Sequence, residues 1–305
     1  MLTARIGELE VSVLGLGTSH WASLGSRLPR TDAARLLDAA SDLGINLIDT
    51  ADTYGSSDCE RMLGDLLAHR PGRFQVATKG GLAMADLPRP FRPANQFVKK
   101  ALQAAGRGRN FSPNRIAKCI DGSLRRLRSE TLDIYFLHSP PATVLGDPDL
   151  LAVLERAVTA GKIRHLGVSS DDREVLALAA ELPAIAVVET KVNPLPDTAL
   201  YAVADRLTDR RIGVIANQAI DIGVARPGNS QPPGRDEAEL LSLIDRTAAE
   251  RCCSRACVLL RHALAQPGVR TVLVRTGNLA HLRENAEALA TPVTPTDSLV
   301  TSQRR

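Results

Sequence analysis

Residues 44–55 read GINLIDTADTYG, a stretch in which a short apolar strand is followed at once by chargeable side chains. Leu47 and Ile48 predict a buried strand, Asp49 comes directly after it, and Tyr54 follows in the next loop. Where strands alternate with helices, the loops after the strands converge on one face, and catalytic groups collect there. The stretch therefore predicts an alternating fold with a reactive site on one side.

Two later strands end in the same way. Residues 74–80 read FQVATKG and place Lys79 at the end of an apolar run, and residues 132–138 read LDIYFLH and end in His138. Any one of these side chains, taken alone, is more often a surface charge or a hydrogen-bonded core residue. Three strands that deliver Asp, Lys and His to one face are hard to explain by packing, and we interpret the chain as an enzyme.

The alternation continues along the whole chain. An opening hairpin is expected over residues 4–9 and 11–16, and eight strand-plus-helix units follow, the number that closes a (β/α)8 barrel. Helices are expected over residues 57–68, 112–126, 171–182, 197–207, 236–250, 254–265 and 278–289. We predict a single TIM barrel domain with an N-terminal β-hairpin over residues 1–290, and a polar, frayed C-terminal tail over residues 291–305.

Two segments depart from this regular pattern. Residues 80–111 and 226–235 are rich in Pro, Gly and Arg, and both follow predicted strands. Long loops in a compact domain are usually functional lids or disordered. We therefore expect both segments over the active face.

Composition excludes several classes of protein. The net charge of +4 comes from 38 basic and 34 acidic residues, and aromatic residues make up 3%, so no nucleic acid partner is expected. No apolar stretch is long enough to span a membrane, and the N-terminus lacks a signal pattern. Five cysteines without a CxxC pair favour a reduced compartment, and we predict a cytoplasmic protein. The oligomeric state does not follow from the sequence.

The four polar residues suit proton transfer to a carbonyl. A tyrosine hydroxyl has a pKa of about 10, and the ammonium of Lys79 would lower the pKa of Tyr54. Asp49 can pair with Lys79, and His138 can donate a hydrogen bond to a carbonyl oxygen. None of these groups supplies electrons, so reduction of the carbonyl requires a hydride donor such as a nicotinamide.

At this point the sequence resembles the aldo-keto reductase family. The resemblance runs from residue 15 to residue 285 and rests on GINLIDTADTYG, VATKGG, SLRRLRSETLDIYFLH, GKIRHLGVSS, GVIA and TVLVRTGNLAHLREN. The family's catalytic tetrad matches Asp49, Tyr54, Lys79 and His138. The resemblance implies a (β/α)8 barrel that binds NADPH, with NADH as an alternative, across its C-terminal mouth, and it implies no metal.

The resemblance also implies a set of contact residues. The substrate would meet Trp21, Tyr54 and His138. The cofactor would meet Gly17, Thr18, Asp49, Ser169, Ser170, Glu189, Asn217, Gln218, Ala219, Ile220, Arg275, Thr276, His281, Glu284 and Asn285. Arg275 would favour a 2′-phosphate and hence NADPH, while Glu284 and Asn285 would hold adenine.

Several of these positions depart from the family pattern. Ser170 stands where an Asn is usual, and Glu189 stands where a Gln commonly contacts the nicotinamide carboxamide. Asn217 replaces the aromatic that stacks on the nicotinamide ring, residues 218–223 replace the loop that embraces the pyrophosphate, and His281 stands where some members use Arg.

Four functions remain open. The leading one is a nicotinamide-dependent oxidoreductase that interconverts a small carbonyl and an alcohol, with Tyr54 as general acid/base. The second keeps the tetrad for non-redox acid–base chemistry, namely dehydration, cyclisation or isomerisation. The third is a binding or regulatory subunit, against which the complete tetrad argues. In the fourth, Lys79 forms a Schiff base, which Asp49 would oppose by keeping the amine charged.

Overall fold

The structure is a computed structural model that describes residues 1–23, 26–82, 108–221 and 235–299. The strands in chain order are β1 (Thr3–Ile6), β2 (Leu9–Ser12), β3 (Leu14–Gly17), β4 (Ala22–Ser23), β5 (Ser26–Arg27), β6 (Leu47–Asp49), β7 (Gln75–Gly80), β8 (Leu132–His138), β9 (Ile163–Ser169), β10 (Ile185–Lys191), β11 (Gly213–Asn217) and β12 (Val269–Val274). Eight of them form a closed parallel barrel in the order β3, β6, β7, β8, β9, β10, β11, β12. The predicted TIM barrel and N-terminal hairpin are confirmed.

The helices lie between the barrel strands. They are α1 (Arg30–Asp42), α2 (Asp58–Leu67), α3 (Pro113–Leu127), α4 (Pro148–Thr159), α5 (Arg173–Glu181), α6 (Leu200–Asp209), α7 (Arg235–Glu250), α8 (Arg255–Leu264) and α9 (Leu279–Ala288). The predicted helices are confirmed, with ends that differ by at most three residues. Side-chain caps fix several starts: Asp147 accepts from two backbone amides at the start of α4, and Asp172 does the same at α5.

The boundary between hairpin and barrel differs from the prediction. A single strand was expected over residues 11–16, but β2 ends at Ser12 and the first barrel strand begins at Leu14. The side chain of Asn46 accepts a hydrogen bond from the Ser12 amide at 2.7 Å, and the Ser12 hydroxyl donates to the Leu14 carbonyl at 2.6 Å. These bonds turn the chain from one sheet into the other.

Two apolar clusters form the core. The larger lies between the barrel strands and the surrounding helices. The smaller fills the barrel, where the hairpin residues Ile6, Leu9 and Val11 pack beneath the barrel-strand residues Leu47, Ala77, Ile134, Phe136, Val187, Ile215 and Leu273. The hairpin therefore closes one end of the barrel. A site at the barrel axis is accessible only from the other end.

Side-chain alternation then builds the site. Residues two positions apart on a strand share a face. The residue two positions after each interior apolar residue therefore also faces the barrel interior. The pairs along the chain are Leu47 and Asp49, Ala77 and Lys79, Phe136 and His138, Val187 and Glu189, Ile215 and Asn217, and Leu273 and Arg275. The polar layer is thus the next layer of the barrel interior.

The C-terminal segment is packed as far as the structure describes it. Asp297 accepts hydrogen bonds from Arg261 at 3.0 Å and is paired with Arg251, and the Leu299 amide donates to His262 at 3.0 Å. The predicted fraying after Leu289 is therefore wrong up to Leu299, because two arginines and a buried histidine hold the chain. The division into a domain over residues 1–290 and a tail over residues 291–305 stays a prediction.

The part of the chain that the structure describes contains no helix that is both long and apolar enough to cross a membrane. Most of the two predicted lid segments, 80–111 and 226–235, lies outside the described residues.

Candidate active site

A cavity of about 230 Å³ opens at the C-terminal end of the barrel. It is lined by Gly17, Ser19, Asp49, Tyr54, Glu189, Asn217, Gln218, Leu273 and Arg275. Asp49 and Tyr54 of the predicted tetrad line it directly, and Lys79 lies behind them with no solvent exposure. The structure therefore brings the catalytic residues predicted from separate strands to one place.

Lys79 is held between two carboxylates. Its Nζ forms an ion pair with Asp49, as the sequence predicts, and lies 2.9 Å from Oε2 of Glu189, which the sequence did not predict. The ammonium also donates to the Thr50 carbonyl at 3.2 Å. All three ionisable side chains are at least 94% shielded from solvent, so their interactions are only weakly screened.

The protonation states follow from these contacts. Burial alone would lower the pKa of Lys79, but the carboxylates of Asp49 and Glu189 outweigh it and raise the pKa well above its usual value. Burial, together with the nearby Glu189 carboxylate, raises the pKa of Asp49 against the opposing effect of Lys79. The contacts of Lys79 therefore favour its charged form.

Tyr54 and His138 lie beside this charged group. Their rings meet edge to face, with centroids 6.2 Å apart and planes at 87°, and Nζ of Lys79 is 5.5 Å from the Tyr54 ring centroid. Burial and the carboxylates of Asp49 and Glu189 raise the pKa of Tyr54, while Lys79 opposes them. Lys79 therefore lowers the pKa of Tyr54 as the sequence predicts, but burial and the two carboxylates outweigh it and the pKa is raised overall.

A hydrogen-bonded chain extends from Lys79 across the cavity. Asn217 Nδ2 donates to Oε1 of Glu189 at 2.8 Å, and Gln218 Nε2 donates to Oδ1 of Asn217 at 3.2 Å. The same Gln218 nitrogen lies 3.3 Å from Oδ2 of Asp171. Sequence reasoning missed Asp171, although it stands just beyond the end of a barrel strand like the other site residues.

Three further predicted residues, Thr18, Ser169 and Ser170, stand at the ends of β3 and β9 but do not line the cavity. Thr18 donates from its amide and its hydroxyl to the Asp49 carbonyl, at 2.9 and 3.0 Å. Ser169 and Ser170 are buried at the end of β9. The Ser170 hydroxyl accepts from the Asp172 amide at 3.1 Å, so it also stabilises the turn into α5.

Arg275, just after the end of β12, also lines the cavity. It forms an ion pair with Asp221, another residue that the sequence analysis missed. Ala219, which is buried, and Ile220, which is partly buried, lie between Gln218 and Asp221 in the chain and do not line the cavity. The positive charge predicted to meet a phosphate is thus already paired in this structure.

The remaining predicted residues lie outside this cavity. Thr276 accepts from the Asn278 amide before α9, which carries His281, Glu284 and Asn285. Glu284 lines a separate cavity of about 420 Å³. Trp21 is 1% exposed and packs in the outer core, so its role at the substrate mouth stays a prediction against which its burial argues.

Among the described residues, no group of three or more His, Cys, Asp and Glu side chains could hold a metal ion.

The sequence model of the Aldo/keto reductase family matches residues 13–299. The chain belongs to this family. It is therefore an oxidoreductase of the aldo-keto reductase type, and the family assignment supports carbonyl–alcohol interconversion on small molecules with a nicotinamide cofactor.

Curated aldo-keto reductase relatives match over most of their length. The chain is 28% identical to a 6-dehydroglucose reductase of Novosphingobium aromaticivorans, covering 93% of this chain and 89% of the relative. It is also 28% identical to a D-threo-aldose 1-dehydrogenase of a Pseudomonas species, covering 94% and 92%.

Solved structures agree on the fold. An aldo-keto reductase from Bacillus halodurans, solved in its holo form, superposes with a TM-score of 0.76 at 22% identity, over 100% of this chain and 99% of the other. A glycerol dehydrogenase from Gluconobacter oxydans gives a TM-score of 0.74 at 25% identity, over 97% and 92%. The aldo-keto reductase barrel is thus present over the length of the chain.

Proposed function

We propose that this aldo-keto reductase interconverts a small carbonyl compound and its alcohol with Tyr54 as general acid/base. The observation that carries the proposal is the buried Lys79, paired with Asp49 and lying 5.5 Å from the Tyr54 ring centroid. A fixed ammonium beside a phenol favours the phenolate relative to the same buried site without the ammonium. It therefore supports proton transfer in both directions.

Each residue has a separate task in this proposal. The Tyr54 hydroxyl donates its proton to the carbonyl oxygen during reduction and recovers it during oxidation. His138, edge-on to Tyr54, donates a hydrogen bond that orients the same oxygen. Asp49 keeps Lys79 charged and in place. The nicotinamide cofactor, when bound, supplies or accepts the hydride.

The cavity fits the reactive end of such a cofactor. It holds about 230 Å³ next to Tyr54, enough for a planar amide-bearing ring. Glu189 offers carboxylate oxygens to a carboxamide NH2 group, and the neighbouring Ser169 and Ser170 end β9 at the same level. We propose that these residues, with Asn217, hold the nicotinamide.

We propose NADPH as the preferred cofactor, with NADH as an alternative. Arg275 is the cation that would meet a 2′-phosphate. Its ion pair with Asp221 reduces the positive charge available and so weakens the preference. Glu284 and Asn285, both on α9, are proposed to contact adenine.

A hydroxylated substrate is the best-supported class. Three of the four relatives named above are a 6-dehydroglucose reductase, a D-threo-aldose 1-dehydrogenase and a glycerol dehydrogenase, whose names refer to polyhydroxylated compounds. We therefore propose aldoses and short hydroxy-aldehydes or polyols as the first substrates to assay.

A cytoplasmic location is also proposed, on the basis of five free cysteines.

One observation keeps a non-redox function as the second candidate. Asn217 stands where the family carries an aromatic, and its amide is bonded to Glu189 rather than offering a flat surface. Without that surface, the tetrad would serve dehydration, cyclisation or isomerisation. Turnover of substrate by nucleotide-free protein would support this second candidate.

The test is a turnover assay with both nucleotides. Purified protein is incubated with an aldose or hydroxy-aldehyde panel, and the absorbance of the reduced nicotinamide is followed, with Tyr54→Phe in parallel. The proposal predicts nucleotide-dependent turnover that is lost in the variant. Turnover that is independent of nucleotide would contradict it.

A further inference from the structure

Glu189 adds a second carboxylate to a site that already has one for Lys79. The two carboxylates approach the same ammonium from different strands, Asp49 from β6 and Glu189 from β10. Asp49 alone would suffice to neutralise Lys79. The Glu189 carboxylate is therefore not needed to neutralise Lys79, and it adds a negative charge to the cavity.

The charge of the two ion-paired groups at the cavity can be counted. Lys79 and Arg275 are cationic, while Asp49, Glu189 and Asp221 are acidic. With every group ionised the sum is one negative charge, and that charge disappears if Glu189 is made neutral. Since Glu189 lines the cavity and is 3% exposed, its charge acts there with little screening by solvent.

The two redox forms of a nicotinamide differ in charge at this end. The oxidised ring is cationic and the reduced ring is neutral, whereas the phosphates and the adenosine are the same in both. A fixed negative charge where the nicotinamide ring binds thus discriminates between the oxidised and reduced forms by electrostatics alone.

We propose that Glu189 selects the redox state of the cofactor by favouring the oxidised nucleotide over the reduced one. The inference rests on the nicotinamide-dependent function proposed above, and it makes Glu189 a specificity-determining residue. The same carboxylate stabilises positive charge as it develops on the ring during hydride donation. The cost is slower release of the oxidised nucleotide when the enzyme works as a reductase.

Glu189→Gln tests this proposal by removing the charge. The substitution keeps the size of the side chain, and its single amide oxygen can accept from Asn217 Nδ2 or from Lys79 Nζ but not from both, while Asp49 still pairs with Lys79. Glu189→Asp keeps the charge and changes the shape. Glu181→Gln, at the exposed end of α5, removes the same charge away from the site.

The experiment measures dissociation constants for NADP⁺ and NADPH, and for NAD⁺ and NADH, by calorimetry at pH 8.5 on all four proteins. Thermal unfolding checks that each variant is folded. We expect Glu189→Gln to shift the oxidised-to-reduced affinity ratio by about tenfold toward the reduced form. Glu189→Asp and Glu181→Gln should stay within about twofold of the wild-type ratio.

Three results would overturn the proposal. An unchanged ratio in Glu189→Gln would remove the role of the charge while leaving the oxidoreductase function intact. Equal shifts in Glu189→Gln and Glu189→Asp would assign the effect to shape. No binding of any of the four nucleotides to the wild-type protein would overturn both this inference and the proposed function.

Discussion

Nζ of Lys79 lies 2.9 Å from Oε2 of Glu189, and both side chains are buried at the mouth of the barrel. This ion pair joins β7 to β10, two strands that are separated by β8 and β9 in the barrel. It places Glu189 among the charged groups that act on Tyr54, together with Lys79, Asp49 and Arg275. The acidity of Tyr54 is therefore expected to depend on Glu189.

Glu189→Gln should move the pH dependence of carbonyl reduction. The Glu189 carboxylate raises the pKa of Tyr54, and its removal lowers that pKa while Lys79, Asp49 and Arg275 remain. In the proposed mechanism reduction requires protonated Tyr54, so activity is lost as the pH rises through the pKa of Tyr54. The alkaline loss of kcat/KM should thus occur at lower pH in the variant than in the wild type. An unmoved or higher-pH limb, with Glu189→Asp as the charge-retaining control, would contradict the assignment.

Tyr54→Phe should separate chemistry from cofactor binding. The substitution removes only the hydroxyl that we propose to transfer the proton, and we expect kcat to fall by about 10²- to 10⁴-fold. The nucleotide dissociation constant should stay within about threefold of the wild-type value. Tyr201→Phe is the matched control, because the Tyr201 hydroxyl bonds the Asn193 carbonyl on the α6 side of the fold. Equal losses of turnover in the two variants would argue against a special role for Tyr54.

Arg126→Met should destabilise the fold strongly. Nε of Arg126 lies 2.6 Å from Oε2 of Glu60, which is fully buried and also accepts from Thr78 at 2.7 Å. Removal of the arginine leaves a buried carboxylate without its cation, and the free energy of unfolding should fall by about 3–5 kcal/mol.

Lys162→Met provides the surface comparison for this prediction. Lys162 pairs with Asp121 at 2.8 Å, with the two side chains 43% and 53% exposed. Such a pair contributes less than about 1 kcal/mol. Urea unfolding of both variants measures the difference, and equal losses would show that the Arg126–Glu60 pair is not special.

His262 should give the fold a dependence on pH. The ring is fully buried, with Nε2 3.0 Å from the Tyr201 hydroxyl and Nδ1 accepting from the Leu299 amide, and burial lowers its pKa to about 4. Between pH 6.5 and about 4 the unfolded chain binds a proton that the folded chain does not. The contribution of His262 to the free energy of unfolding is therefore complete above pH 6.5. It falls as the pH drops below 6.5, by at most about 1.4 kcal/mol per pH unit.

His262→Gln should lack this component of the pH dependence. The stability of the wild type relative to the variant, measured by urea unfolding, should shrink between pH 7 and pH 5 by up to about 2 kcal/mol. Parallel stability curves over this range would mean that His262 does not titrate as its burial implies.

Much of the barrel and of the tetrad could be predicted because the signal is local. Asp49, Lys79 and His138 each follow an apolar strand, and closure of the barrel brings strand ends together. The pairing of Glu189 with Lys79 could not be predicted in this way. It depends on which side chains meet across the barrel interior, and strand spacing along the sequence does not encode that meeting.

The ion pair of Arg275 with Asp221 shows the same limit. The sequence gives Arg275 a free positive charge for a phosphate, but the partner lies on the loop after β11 and is reached only when β11 and β12 pair. The end of β2 was misplaced for a related reason, since Ser12 is turned by Asn46, a residue of another strand connection.

The most direct test of the central claim is transfer of deuterium from the reduced nucleotide to a carbonyl carbon. The protein is incubated with NADPH or NADH that carries deuterium at both hydrogen positions of the nicotinamide C4, together with glyceraldehyde and a panel of aldoses, and the alcohols are analysed by mass spectrometry. We predict one deuterium in each alcohol molecule formed by the wild type, and a rate of deuterium transfer that is about 10²- to 10⁴-fold lower with Tyr54→Phe. A wild-type protein that binds the nucleotide but transfers no deuterium to any member of the panel would contradict the proposed function.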